Sequence, residues 1–343
     1  QFKAKGLIKV RGKQRTDSTH ILASVRMLNR LEQVGETLRY TLNVLAEHVP
    51  EWLKSHVPTE WFERYGARFE QYRLPTDKGE REALAKTIGA DGYWLLTLIY
   101  DDIAPDHVRE VAAVQILRTV WLQQFYIENN TIHWRDKRNL PPSERQLVTP
   151  FDPEARYSHK RDTTWTGYKA HLTETCDDDW PCLITHVETT MATVQDVEVV
   201  DQVHAELSEQ GCLPGAHLMD MAYLSSDILV SSRHVGVDVI GPVRADTSWQ
   251  AQTEGAFDLT QFVIDWEQKT VQCPMGKCTR HWIEGTGKHG KPNVTAVFSP
   301  TDCRQCDAFT RCSRNVSRRA RSLSFPRQDE FLALQAARKR QQT

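Results

Sequence analysis

Residues 168–188, YKAHLTETCDDDWPCLITHVE, decide the fold class. Tyr168, Ala170 and Leu172 alternate with Lys169, His171 and Thr173, and Leu183, Thr185 and Val187 alternate with Ile184, His186 and Glu188. A period of two marks a β-strand. Asp177-Asp178-Asp179 between the runs supplies a turn, so the pattern predicts a hairpin with a solvated tip. Downstream the period changes. Val197, Val200, Val203 and Leu207 follow helical spacing up to Gly211, and residues 215–219 form a short apolar run ending at Asp220. Ser225 can cap a helix that continues to about His234 and stops at Gly236, and residues 237–243 form a last short strand. Upstream, residues 7–22 alternate around Leu7, Lys9, Thr19 and Ile21, with Gly12 as punctuation, and predict a first strand or strand pair.

Between the first strand and the hairpin, residues 23–130 read as helices. Leu31, Val34, Leu38, Leu42, Leu45 and Val49 form one stripe, and Val108, Val111, Val114, Trp121 and Phe125 predict a helix over 107–127. Pro141-Pro142 and then Pro150 and Pro153 close this zone. Helical crossovers between short apolar strands imply parallel pairing, so the fold class is α/β with a mixed sheet. Residues 246–325 differ: they hold Gly, Pro and five of the eight cysteines, with short apolar runs. From Glu330 onward, Phe331, Leu334 and Ala337 predict a helix. The expected organisation is a core of 1–22 plus 150–245, a helical insertion at 23–149, a Cys-rich insert at 246–325 and the start of a last core helix at 326–343.

The chain has 343 residues, room for about two domain-sized units. Its formal charge is −2, but the charge is unevenly spread. Residues 1–20 carry six Lys/Arg against Asp17, and residues 303–343 carry ten against three acids, which leaves the middle at −14. Basic ends on an acidic centre suggest a polyanion partner and a site that needs cations. The longest uncharged apolar stretch, residues 92–100, has nine residues, about half of a membrane span. No signal peptide opens the chain, so reduced thiols or metal ligands are expected of the cysteines, and a cytoplasmic, nucleoid-associated location. A chain that opens on Gln1 and ends directly after a helical pattern reads as a piece of a longer protein, cut at both ends.

Asp17 lies within a stretch otherwise suited to a strand, where Asp is disfavoured because its short polar group competes with the ladder. Asp220 stands at the carboxyl end of Ala216-His217-Leu218-Met219, where ligand sites of open α/β sheets gather. The plain alternatives are a strand-end carboxylate and a turn cap. Two carboxylates on neighbouring strands repel unless a divalent cation sits between them. Cys303-x-x-Cys306 followed by Cys312, with Cys273 thirty residues upstream of Cys303, resembles a zinc ribbon or knuckle pair, with unliganded thiols and an iron–sulfur site as the alternatives; Cys278 is a fifth candidate for four places. Cys176, Cys182 and Cys212 read as ordinary strand or loop cysteines.

Three weaker patterns are set aside. Gly285-x-x-x-x-Gly290-Lys291 lacks the Ser/Thr and the strand–helix frame of a phosphate loop. The Asp177–Asp179 run reads as a turn rather than a cation site, and Ser18 and His20 lack a third partner for nucleophilic catalysis. Basic residues surround the proposed site in sequence: Arg15 before Asp17, Arg156, Lys160 and Lys169 by the next strands, and Arg318 and Arg319 after the cysteines. Trp165, Trp249, Trp266 and Trp282 are interspersed, and such aromatics can stack on unpaired bases.

Four ordered motifs carry a resemblance. They are Arg15-Thr16-Asp17-Ser18-Thr19-His20, Asp152-Pro153-Glu154-Ala155-Arg156-Tyr157-Ser158-His159-Lys160, Trp165-Thr166-Gly167-Tyr168-Lys169 and His217-Leu218-Met219-Asp220-Met221-Ala222-Tyr223. Together they resemble bacterial insertion-sequence transposases of the DDE type, which have an RNase H-like core, and residues 298–312 resemble the Cys-rich insert of these proteins. The resemblance implies an Asp-Asp-Glu triad holding two Mg²⁺ or Mn²⁺ ions, with Asp17 as the first acid and Asp220 as the second. The third acid is expected beyond the sequence; Glu330 is the nearest Glu but lacks the matching context. Ala222 departs from the usual Gly. The implied activity is cleavage and strand transfer at element ends by a homodimer on double-stranded DNA, with structural Zn²⁺ in the insert. Two rivals are a catalytically incomplete DNA-binding remnant and an RNase H-like nuclease without strand transfer.

Overall fold

The computed structural model describes residues 2–160, 162–287, 290–314 and 320–342. Strand β1 (Lys13–Leu22) comes first, alternating exposed and buried residues over its first half. Helix α1 (Arg30–His48) starts at Asn29, whose side-chain oxygen accepts the amides of Leu31 and Glu32 while Glu32 accepts the Asn29 amide. This reciprocal cap satisfies amides that a helix start leaves open. Then follow α2 (Pro50–His56), α3 (Glu60–Tyr65), α4 (Lys78–Tyr100), capped by Asp77, and α5 (Ala112–Gln124). The helix expected over 107–127 is shorter: a 3₁₀ turn covers residues 106–110, and after Gln124 the chain becomes the hairpin β2 (Phe125–Glu128) and β3 (Thr131–Trp134). Asn129 and Asn130 between them both have positive φ, the backbone of a tight two-residue hairpin turn.

The chain continues through β4 (Arg156–Lys160), β5 (Thr163–Thr175), β6 (Ile184–Met191), α6 (Val200–Glu209), β7 (Ala216–Met219), α7 (Ser226–His234) and β8 (Asp238–Ile240). The predicted hairpin, crossover helices and last strands are all present, and β4 is an additional strand. Ser225 holds the N-cap position of α7, yet its side chain makes no capping bond. The mixed sheet has the order β4-β5-β1-β7-β8, with β6 also on β5. β7 runs parallel to both β1 and β8, and β4 is antiparallel to β5. The Cys-rich zone holds α8 (Trp249–Gln252), β9 (Val263–Asp265), β10 (Thr270–Gln272), β11 (Thr279–Thr286), β12 (Pro292–Phe298), α9 (Pro300–Arg304), α10 (Phe309–Cys312) and β13 (Ser322–Phe325). Here β11-β12-β13 form one antiparallel sheet and β9-β10 another. Helix α11 (Gln328–Gln342) follows.

The chain divides into two compact units, one of residues 1–17, 172–188 and 195–343, the other of 18–171 and 189–194. The second is built on the helices. Leu31, Val34, Leu38 and Leu45 of α1 bury their stripe against Ile88, Leu95 and Ile99 of α4 and Val114, Leu117 and Val120 of α5. Each such side chain contributes about 1.5–3 kcal/mol on burial. α4 meets α5 closely because it presents Gly89 and Gly92: a Cβ at Gly92 would run into the Trp121 indole, and one at Gly89 into the Phe125 ring. In the same unit Gly167 has φ 150°, and a Cβ there would strike the Ile21 carbonyl. In the first unit, Val200, Val203 and Leu207 of α6, Ile228 and Leu229 of α7, and Met219 and Val239 are buried. The Cys-rich zone has its own apolar cluster around Phe257, Phe262, Phe298, Leu323 and Phe325.

Candidate metal and nucleic-acid site

Two strands position the expected carboxylates. β1 and β7 pair in parallel with Gln14 opposite His217, Arg15 opposite Leu218 and Thr16 opposite Met219; Asp17 and Asp220 are the next residues along each. Side chains alternate between the faces of a strand. Gln14, Thr16, His217 and Met219 are buried, whereas Arg15, Asp17 and Asp220 are not. Both acids therefore turn away from the buried face, Asp17 midway along β1 and Asp220 just past the carboxyl end of β7, the kind of position where ligand sites gather. Asp220 also caps the turn that follows: its Oδ1 accepts the Ala222 amide at 2.8 Å. The turn-cap alternative thus describes one of its oxygens, and Oδ2 makes no hydrogen bond among the described residues. Both side chains are carboxylates, the oxygen donors that hard cations take.

Under the acids runs a buried polar chain that the sequence reading missed. Thr173 Oγ1 and Thr16 Oγ1 lie 2.7 Å apart, Thr16 Oγ1 meets His217 Nε2 at 2.7 Å, and His217 Nδ1 meets His204 Nε2 of α6 at 2.9 Å. Burial, with the adjacent His204 adding to it, pushes His217 down to about 3, and burial lowers His204 as well. Both rings are neutral at pH 7 and act as fixed links between β1, β7 and α6. Thr16 precedes Asp17 and His217 lies three residues before Asp220, so the links tie β1 to β7 beside the acids. The available signal was a His at an inward position of a short apolar strand, but its partners are Thr16, 201 residues away, and His204 on another element.

Of the thiols, Cys273, Cys303, Cys306 and Cys312 line one pocket, and Cys278 is exposed and outside it. The Lys277 amide donates to Cys273 Sγ at 3.4 Å. Burial pushes the Cys303 thiol up and the Cys312 thiol up to about 11. The donor types suit Zn²⁺, whose 2.3 Å bonds space tetrahedral sulfurs by about 3.8 Å. No three of these sulfurs lie within 4.8 Å of one another, so zinc binding requires the side chains to close.

The basic residues are mostly committed to the fold. Arg15 pairs with Glu174 at 2.6 Å, Arg156 donates to the carbonyls of Glu144, Pro153 and Ala155, and Lys169 donates to the Val194 carbonyl at 2.6 Å. Lys160 is exposed. Arg318 and Arg319 lie outside the described residues. Trp165 is buried and stacks on His20 at 3.7 Å, and Trp266 and Trp282 pack on Phe325; Arg314 lies over the Trp249 ring. Asp177 is not a solvated tip: it is buried, with Oδ2 accepting the Lys13 amide at 2.9 Å, because it anchors the start of β1. Lys291, from the discarded phosphate-loop pattern, immediately precedes β12 and pairs with Asp227 at 2.7 Å. Glu330 accepts a 2.6 Å hydrogen bond from the Ser226 hydroxyl. No protein-family model, curated protein or solved structure matches the chain.

Proposed function

We propose that the chain is a DDE-type DNA transposase with an RNase H-like core, cleaving double-stranded element ends and joining them to target DNA as a homodimer. The observation that carries this reading is the β1–β7 register, in which Asp17 and Asp220 each follow the paired residues Thr16 and Met219 on adjacent parallel strands. The four motifs and the order of strands and helices support it. Asp17 and Asp220 are the residues that would hold Mg²⁺ or Mn²⁺. Bound there, the ions would stabilise the charge that develops on a phosphodiester and lower the pKa of water or a DNA 3′-hydroxyl. The chain's own contribution is placement. The Ala222 amide holds Asp220 Oδ1, and the Thr16–His217–His204 links tie β1, β7 and α6 together beside the acids. No protein nucleophile is required. Cys273, Cys303, Cys306 and Cys312 would hold Zn²⁺ and brace a zone whose apolar cluster is small.

Nicking of supercoiled plasmid in Mn²⁺, followed by capture of a labelled duplex, tests the reading. The full-length protein is expected to nick and join, and Asp17→Ala and Asp220→Ala to do neither while retaining salt-dependent duplex binding. Nicking without joining favours a nuclease. Binding without nicking in the wild type refutes the enzyme and leaves the DNA-binding remnant.

A further inference from the structure

We propose a separate site for a divalent transition-metal ion at His186, Glu188 and Glu206. His186 and Glu188 stand two apart on β6 and so share a face, and Glu206 comes from α6. The ligand atoms of all three lie within 4.8 Å of one another, the one such group of three or more among the described residues. The His186 side chain is only 4% exposed, and its Nε2 has no hydrogen-bond partner among the described residues. That nitrogen points between two carboxylates, 3.8 Å from Glu188 Oε2 and 3.6 Å from Glu206 Oε2. A buried nitrogen without a partner is unfavourable by about 1–3 kcal/mol.

Distances decide what the arrangement suits. An imidazole donating to a carboxylate would draw it to about 2.8 Å. Ligands bound tetrahedrally at about 2.1 Å lie about 3.4 Å apart, close to both observed separations. Gln202 Nε2 reinforces the spacing, donating to Glu188 Oε2 at 3.2 Å and to Glu206 Oε1 at 3.0 Å, and so leaves Glu206 Oε2 facing the ring. Two carboxylates balance a +2 ion. One imidazole with two carboxylates favours Zn²⁺, Co²⁺ or Mn²⁺ over Mg²⁺ or Ca²⁺, which prefer all-oxygen shells. Three protein ligands leave a coordination position for water, and Glu206, 38% exposed, gives the ion a way in. The ion would pin α6 to β6. This site is independent of the transposase reading, since it uses neither Asp17 nor Asp220.

Co²⁺ alone is the probe, bound by equilibrium dialysis to the full chain and read by absorption. The expected result is an ion with nitrogen/oxygen-type d–d bands that His186→Gln and Glu206→Gln each remove, one ion fewer per chain, while any thiolate charge-transfer absorption is unchanged. Glu206→Gln alters a partly exposed helix position and keeps the proposal testable should His186→Gln misfold. The double variant Asp17→Ala/Asp220→Ala should keep this ion. Unchanged stoichiometry in Glu206→Gln, or a wild type whose nitrogen/oxygen-type ion disappears only with Asp17 and Asp220, overturns the proposal.

Discussion

Acidification should unlock the buried link beneath the two acids. His217 is held neutral with its pKa near 3, against 6.5 for an unperturbed imidazole. The unfolded chain therefore binds a proton at this residue that the folded chain refuses. The stabilisation is fully present above pH 6.5, is lost as pH falls from there toward 3, and does not return at lower pH. At pH 4.5 the loss covers about two pH units, or about 2.7 kcal/mol at 1.36 kcal/mol per unit, and burial of His204 adds loss of the same sign. His217→Gln removes the titrating group but leaves Thr16 and His204 imperfectly paired, so it should be less stable at pH 7 by about 1–3 kcal/mol. Urea denaturation at steps from pH 7.5 to 4.5, in chelator, gives both curves. The wild-type curve should fall more steeply, and the difference between wild type and variant should shrink by about 2–3 kcal/mol across that span. Parallel curves, or a His217 titration by NMR within one unit of 6.5, would refute the argument.

Three other outcomes follow from particular contacts. Gly92→Ala gains about 1 kcal/mol of helix propensity, but its Cβ meets a Trp121 ring tethered by a 2.8 Å bond to the Gly89 carbonyl. Overpacking of about 1–3 kcal/mol should win, lowering the denaturation midpoint; a raised midpoint would contradict this. Asn29→Ala removes the α1 cap and should lose about 1 kcal/mol, whereas Asn29→Ser, which keeps a capping oxygen and puts no charge beside Glu32, should lose less in the same assay. Protein prepared under reducing conditions should contain one thiolate-bound zinc per chain, apart from any ion at His186, so Cys303→Ser should hold one zinc fewer than wild type and Cys278→Ser the same; metal analysis showing equal content in the two variants speaks against the thiol site.

Alternation and helical spacing carried the central elements because both report one-sided burial, which a linear pattern encodes directly. The hairpin at 168–188, α6, β7, α7 and β8 followed from it; that β1 lies beside β7 is not written in either pattern and comes from their pairing. Elements held by long-range contacts were less legible. β4 is short and polar, and its strand character comes from pairing with β5. α4 has a weak apolar stripe and relies on two glycines that admit α5, which became visible only when Trp121 and Phe125 were seen against them. The break at Gln124 was hidden because Phe125 and Ile127 fit helical spacing, while the Asn129-Asn130 turn that ends it carries the deciding backbone. Asp177 looked solvated in an acidic run, yet the amide of Lys13, 164 residues away, gives it a buried role. His186 shows the same limit: its position on a strand was readable, but not that Glu206 would face it.

The central claim is that Asp17 and Asp220 share hard cations. Asp220→Asn removes the charge but retains an N-cap residue for the turn, so it isolates the ligand role from the structural one. Anomalous diffraction from Mn²⁺-soaked crystals of both proteins is the direct measurement. The account predicts manganese against both carboxylates in the wild type and none there in Asp220→Asn. An empty position between Asp17 and Asp220 in the soaked wild type, or the same peak in the variant, would contradict it.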